Sequence, residues 1–92
     1  MRVVITKRFK ENTDALRNAD LLEQIFFIIE AAESATSPFD IPDCKKLTGY
    51  PEYFRIAAGT YRIGIKSSGD TIRFICCLHR SIVYQQFPKK RR

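Results

Sequence analysis

Two periodicities divide the chain. Between Asp20 and Ala32, apolar residues at Leu21, Leu22, Ile25, Phe26, Ile28, Ile29 and Ala32 recur at helical spacing. Asp20 offers an N-cap oxygen, and Glu23 three residues later completes a signal like a capping box. The spacing predicts a helix with one broad apolar face, ending near residues 34–37, ahead of Pro38. Over residues 60–67 the period changes to two: Tyr61, Ile63 and Ile65 alternate with Arg62, Gly64 and Lys66. A strand presents such residues to opposite faces. Residues 71–79 read as the neighbouring strand, joined through a turn at Ser68-Gly69, with Ile65 facing Ile72 and Ile63 facing Phe74. Residues 2–9, rich in β-branched side chains, predict a first strand. Residues 10–18 read as a weak helix, residues 37–46 with Pro38 and Pro42 as a loop, and residues 81–87 as a short closing element.

The stretch 46–63 feeds a tight hairpin. With Ala58-Gly59 as a two-residue turn, Ala57 pairs with Thr60, Ile56 with Tyr61, and Arg55 with Arg62. Like charges directly opposite one another weaken a sheet. Such a pair points outward, to a polyanion such as RNA or to a partner's carboxylate. The same face collects Arg55, Arg62, Arg73, Ile75, Cys77 and His79. The order strand, helix, helix, three strands is α+β: a small antiparallel sheet with two N-terminal helices packed on one face and the other face left open.

Composition narrows the classes. Ninety-two residues allow one compact domain, read as residues 1–88 with a basic tail at 89–92. The formal net charge of +6 favours anionic partners: nucleic acid, an acidic protein segment or a membrane surface. The 3 cysteines, with Cys76 beside Cys77 and Cys44 far away, fit free thiols in a reducing compartment. With one histidine and no CxxC, neither a zinc site nor another cofactor is expected. The apolar run from Ile25 to Ile29 is too short to span a bilayer, and no signal peptide opens the chain, so a cytoplasmic protein without a membrane partner is expected.

Four motifs in order carry a resemblance: Lys46-Leu47-Thr48-Gly49, Phe54-Arg55-Ile56, Gly59-Thr60-Tyr61-Arg62-Ile63, and His79-Arg80-Ser81-Ile82-Val83-Tyr84. Together, over nearly the whole chain, they resemble the RelE/ParE superfamily of toxins from type II toxin–antitoxin pairs. The resemblance implies a β-α-α-β-β-β fold and a cognate antitoxin as partner. RelE-like members cleave messenger RNA on the ribosome without metal, which makes ribosome and mRNA the expected target. On that pattern Arg55 stands where a catalytic lysine commonly sits, Arg62 matches the strand arginine, Arg80 the arginine of the "H-R" pair, and Tyr84 the C-terminal tyrosine. Ala57 and Leu78 depart from it, each replacing a basic residue. ParE-like members inhibit DNA gyrase and lack the catalytic set, so gyrase inhibition, or an antitoxin-binding paralogue without toxicity, stands as the alternative.

The chemistry can be stated independently. Metal-free RNA cleavage requires a deprotonated 2′-hydroxyl, a stabilised pentavalent phosphate and a protonated leaving oxygen. Arginine forks match phosphate oxygens, which suits Arg55 and Arg62. His79 has the side chain that ordinarily titrates near neutrality and is expected on the face of both arginines. Tyr84 can stack a base. Each residue also has a structural reading: Arg62 holding the antitoxin or a carboxylate of its own fold, His79 bracing a strand end, Arg80 paired with an acidic residue, Tyr84 half-buried in the core.

Overall fold

Thr6 ends the first strand and begins the first helix. In the computed structural model, which describes residues 1–88, its Oγ1 accepts from the Phe9 amide at 3.2 Å and donates to the Phe74 carbonyl at 2.7 Å. Strand β1 is therefore Arg2–Ile5, and the segment expected to continue it is helix α1, Lys7–Asp14. Phe9 becomes the buried residue of α1, its ring edge-on to Phe74 at 5.2 Å.

Helix α2 runs Ala19–Ser34. Its N-cap is Asn18, whose side-chain oxygen accepts from the Leu21 amide at 3.0 Å. Asp20 sits inside the first turn instead, where its charge complements the helix dipole. The helix buries Leu21, Ile25, Ile28 and Ala32, a narrower face than its sequence pattern. Leu22, Phe26 and Phe27 stay exposed, because helical spacing turns them away from the stripe that meets the sheet. Asn18→Ala is expected to cost about 1 kcal/mol through the lost cap, measurable as a lowered thermal midpoint.

The segment read as a loop before the hairpin contains a 3-10 turn, Pro38–Asp40, and a strand, β2, Cys44–Lys46. Strands β3 (Tyr53–Ala58), β4 (Tyr61–Ser68) and β5 (Thr71–His79) complete a five-stranded sheet of order β1-β5-β4-β3-β2. The fold is α+β as expected. Strands β2 to β5 pair antiparallel with their neighbours, and β1 joins β5 in parallel, which makes the sheet mixed.

Both hairpins turn one residue later than expected. Ala58 pairs with Tyr61, so the loop is Gly59-Thr60, and Gly59 at φ 59° supplies the positive φ the turn needs at its first position. Ser68 pairs with Thr71 around Gly69-Asp70. A bulge follows: Gly64 pairs with Cys76 and Ile65 with Phe74, leaving Ile75 without an opposing residue. Ile63 therefore faces Cys77, not Phe74, and Ile65 faces Phe74, not Ile72.

The main core lies between the helices and one sheet face, built on Phe9, Ile25, Ile28, Phe54, Ile56, Ile63, Ile65, Ile72, Phe74 and Cys77. The other face is not fully open. A short helix, α3 (Val83–Gln86), lays Val83 and Phe87 against Cys76, with Leu47, Tyr53, Ile75 and Leu78 around them. No helix among the described residues is long and apolar enough to cross a membrane. The basic tail 89–92 lies outside the described residues.

Candidate functional site

The corrected register decides which cations meet. Arg55 lies opposite Gly64 on one side and Lys45 on the other; Arg62 lies opposite Ala57 and Leu78. The expected direct Arg55–Arg62 pair does not form. The two are diagonal neighbours on the same face, a spacing of about 7–8 Å between such positions. Arg62 folds back on its own turn, with Nη1 donating to the Gly59 and Tyr61 carbonyls at 2.9 Å each. Ala57 and Leu78 flank it, so both departures from the family pattern fall in the row of Arg62.

His79 is not on that face. The bulge at Ile75 reverses the alternation along β5, which pairs His79 with Tyr61 on the helix-covered side. The two rings meet edge-on at 5.5 Å. The His79 Nδ1 accepts from the Ser81 amide at 3.1 Å and lies 2.8 Å from the Ser81 hydroxyl. Both contacts tie the ring to the residue two positions on. His79 thus braces the corner where β5 leaves the sheet. The same reversal carries Cys77 into the main core.

Arg80 is exposed, and its amide donates to the Thr60 carbonyl at 2.8 Å, tying the corner to the hairpin tip. Its side chain makes no ion pair among the described residues. Tyr84 is 55% exposed rather than core. It lines a cleft of about 300 Å³ with Leu47, Thr48, Tyr50, Phe87 and Pro88, and neither Arg55 nor Arg62 reaches that lining. The basic face and the Tyr84 cleft are therefore two features of one side of the sheet, not a single pocket.

Arg8 and Lys45 escaped the sequence, as did the pairing of Lys66 with Arg73. Arg8, placed by α1 rather than by a strand, donates Nη2 to Gln86 Oε1 at 3.0 Å and so holds α3. Lys45 stands opposite Arg55, and Lys66 opposite Arg73. The like-charge pairing expected of Arg55 and Arg62 thus exists elsewhere on the sheet. It could be read only with β2 recognised and the turns placed at Gly59-Thr60 and Gly69-Asp70. The thiols offer no nucleophile at neutral pH. Burial is the main cause in each case, pushing Cys44 up to about 11, Cys77 up to about 12, and Cys76 upward.

No protein-family profile matches the chain. It is 39% identical to Toxin RelE3 of Methanocaldococcus jannaschii over 89 residues, 96% of this chain and 100% of that protein. Its structure is similar to one in the crystal structure of the RelB-RelE antitoxin-toxin complex from Methanococcus jannaschii, with a TM-score of 0.78, 36% identity, and coverage of 92% of this chain and 99% of that one. A Helicobacter pylori protein solved in solution shares the fold at a TM-score of 0.62 with 11% identity, covering 88% and 96%. Identity at this level along the whole length, on a backbone of the same topology, makes the chain a member of the RelE family of toxins of type II toxin–antitoxin systems.

Proposed function

We propose that this toxin acts in the cytoplasm as a metal-free endoribonuclease that cleaves ribosome-bound mRNA and so inhibits translation. The observation that carries the reading is Arg55 and Arg62 on one sheet face, without a carboxylate partner among the described residues, on the side where Tyr84 is exposed. Arg62 and Arg55 stabilise the charge that develops on the pentavalent phosphate. Arg80, exposed at the corner, steadies the RNA backbone, and Tyr84 stacks a base. His79 holds the strand end rather than taking the 2′-hydroxyl proton, since its ring lies against Tyr61 on the helix-covered side, across the sheet from Arg55 and Arg62.

Induced expression in bacteria should arrest growth and produce discrete new mRNA 5′ ends within codons of translated messages. Growth arrest with every message intact would exclude cleavage. One observation favours a second reading: Arg62 is flanked by Ala57 and Leu78, so the basic site is thinner than the RelE pattern. A DNA gyrase inhibitor would give SOS induction and gyrase-linked DNA breaks with mRNA left whole, and the same induction experiment reports it.

The solved relative was crystallised as a toxin bound to its antitoxin. We extend that to a cognate antitoxin for this chain, encoded beside it, whose acidic segment covers Arg62 or displaces the segment around Tyr84. The adjacent gene product should co-purify with the toxin and protect the Arg62 face or Tyr84 from solvent. Failure to associate, or a complex with both still open, would remove this mode of inhibition.

A further inference from the structure

The cross-strand pair Lys66–Arg73 places two cations directly opposite one another on β4 and β5, an arrangement that weakens a sheet unless an anion sits between them. A pair of hydroxyls ends the same hairpin: Ser68 pairs with Thr71. The four side chains line a polar cleft of about 250 Å³. Its cations are poorly neutralised from within. Lys66 Nζ lies 3.8 Å from Glu52 Oε1, a loose and exposed contact, and 5.7 Å from the centre of the Tyr53 ring. Arg73 is exposed and forms no ion pair among the described residues. The Thr71 hydroxyl donates to Asp70 Oδ1 at 3.2 Å, and the Ser68 hydroxyl has no hydrogen-bond partner among the described residues.

We propose that Lys66, Ser68 and Arg73 form a second phosphate-binding subsite, which holds the backbone of a single-stranded polynucleotide away from the Arg55–Arg62 site. The inference rests on the RNA-binding reading of that face. Its lining supplies an ammonium, a guanidinium and a hydroxyl, the donor types that grip backbone phosphates. It lies on the same side of the sheet as the first site, with the Phe87 ring packed over Gly64 between Lys66 and Arg62. Lys66 is opposite Tyr53, and Arg55 is the next residue on the same side of β3. Two residues of strand rise about 7 Å, so one extended chain can touch both. Glu52 and Asp70 stand at the rim and oppose any anion, which keeps the contribution moderate. An acidic peptide presents the same two oxygens per charge, and it is the competing occupant.

The test is a titration of isotopically labelled toxin with single-stranded octauridylate, read by amide chemical shifts, for the wild type and for Lys66→Gln/Arg73→Gln. In the wild type the amides of residues 66–73 and those near Arg62 should both move. The double variant should bind several-fold more weakly, and the slope of log affinity against log salt should fall by about 0.7 for one lost phosphate on a single strand. Its thermal midpoint should stay or rise, because a like-charge pair has been removed. Shifts near Arg62 with none at residues 66–73 would overturn the subsite and leave the first site standing. So would wild-type affinity and slope in the double variant, or a lowered midpoint, which would assign the pair to the fold. A glutamate octapeptide that moves these amides at lower concentration than RNA would overturn it in favour of a protein partner. A wild type that binds no octauridylate would remove the subsite together with the RNA reading. Binding at both sites without mRNA cleavage in cells would keep the subsite and remove the nuclease.

Discussion

Arg62→Ala is expected to abolish toxicity, with mRNA cleavage slowed about 100- to 1,000-fold, the usual effect of losing one preorganised charge contact to a transition state. The expectation is specific to this arginine. In its row of the sheet the neighbouring strands offer Ala57 and Leu78, so no second cation replaces the lost one. The nearest help is Arg55, one diagonal step away. The fold should tolerate the change. Arg62 donates to the Gly59 and Tyr61 carbonyls at the rim of the hairpin, where water can take over both bonds. Arg62→Lys should recover part of the activity, keeping the charge and losing the fork. The comparison needs cleavage rates on translating ribosomes and thermal midpoints for both variants. A folded Arg62→Ala protein with wild-type toxicity would move the site away from Arg62.

What could be read from the sequence was local contrast between polar and apolar positions. Helix α2 was legible because Leu21, Ile25, Ile28 and Ala32 recur against a polar background. The β4 strand was legible for the same reason. The bulge was not, because Phe74, Ile75, Cys76, Cys77 and Leu78 are all apolar and carry no contrast that could show the phase reversing. That one missed residue put His79 and Cys77 on the wrong face. Strand β2 was hidden for a different reason. It has 3 residues, follows Asp43 at a φ of 59°, and is defined only by its pairing with β3. Thr6 read as one more β-branched strand residue, since its capping role exists only once the helix is there. Of the candidate residues, Arg55 and Arg62 came from the hairpin pattern and the motif resemblance together, and Arg80 and Tyr84 from the resemblance, which carries residue identity along the chain but not the register that brings side chains together.

The second large effect concerns a residue with no side chain. Gly64 lies opposite Arg55 and Cys76 in the middle of the face that α3 covers. A Cβ built at Gly64 would fall 2.7–2.8 Å from three ring carbons of Phe87, well inside contact distance. The ring is 1% exposed and is packed edge-on to Tyr53 at 5.6 Å, so it has little room to withdraw within the fold. Gly64→Val is therefore expected to destabilise the protein by about 1–3 kcal/mol through overpacking, and Phe87→Ala by about 3–5 kcal/mol through the emptied site. In a domain of this size each kcal/mol lowers the thermal midpoint by about 4–8 °C. The two changes relieve one another, because alanine at position 87 vacates the space that valine at 64 needs. The double variant should accordingly be more stable than the sum of the single losses predicts, a coupling that thermal or denaturant unfolding of the cycle measures. Function should follow stability here more closely than at an ordinary core position. Val83 and Phe87 are the residues that seat α3, and Tyr84 stands between them on its exposed side. Loosening that seat displaces Tyr84 from the cleft it shares with Leu47, Thr48 and Tyr50. Gly64→Val should thus lose toxicity at temperatures where it is still folded, while the strand arginines remain in register. Strict additivity of the two changes, or a Gly64→Val protein with wild-type stability and toxicity, would show that α3 does not depend on this contact.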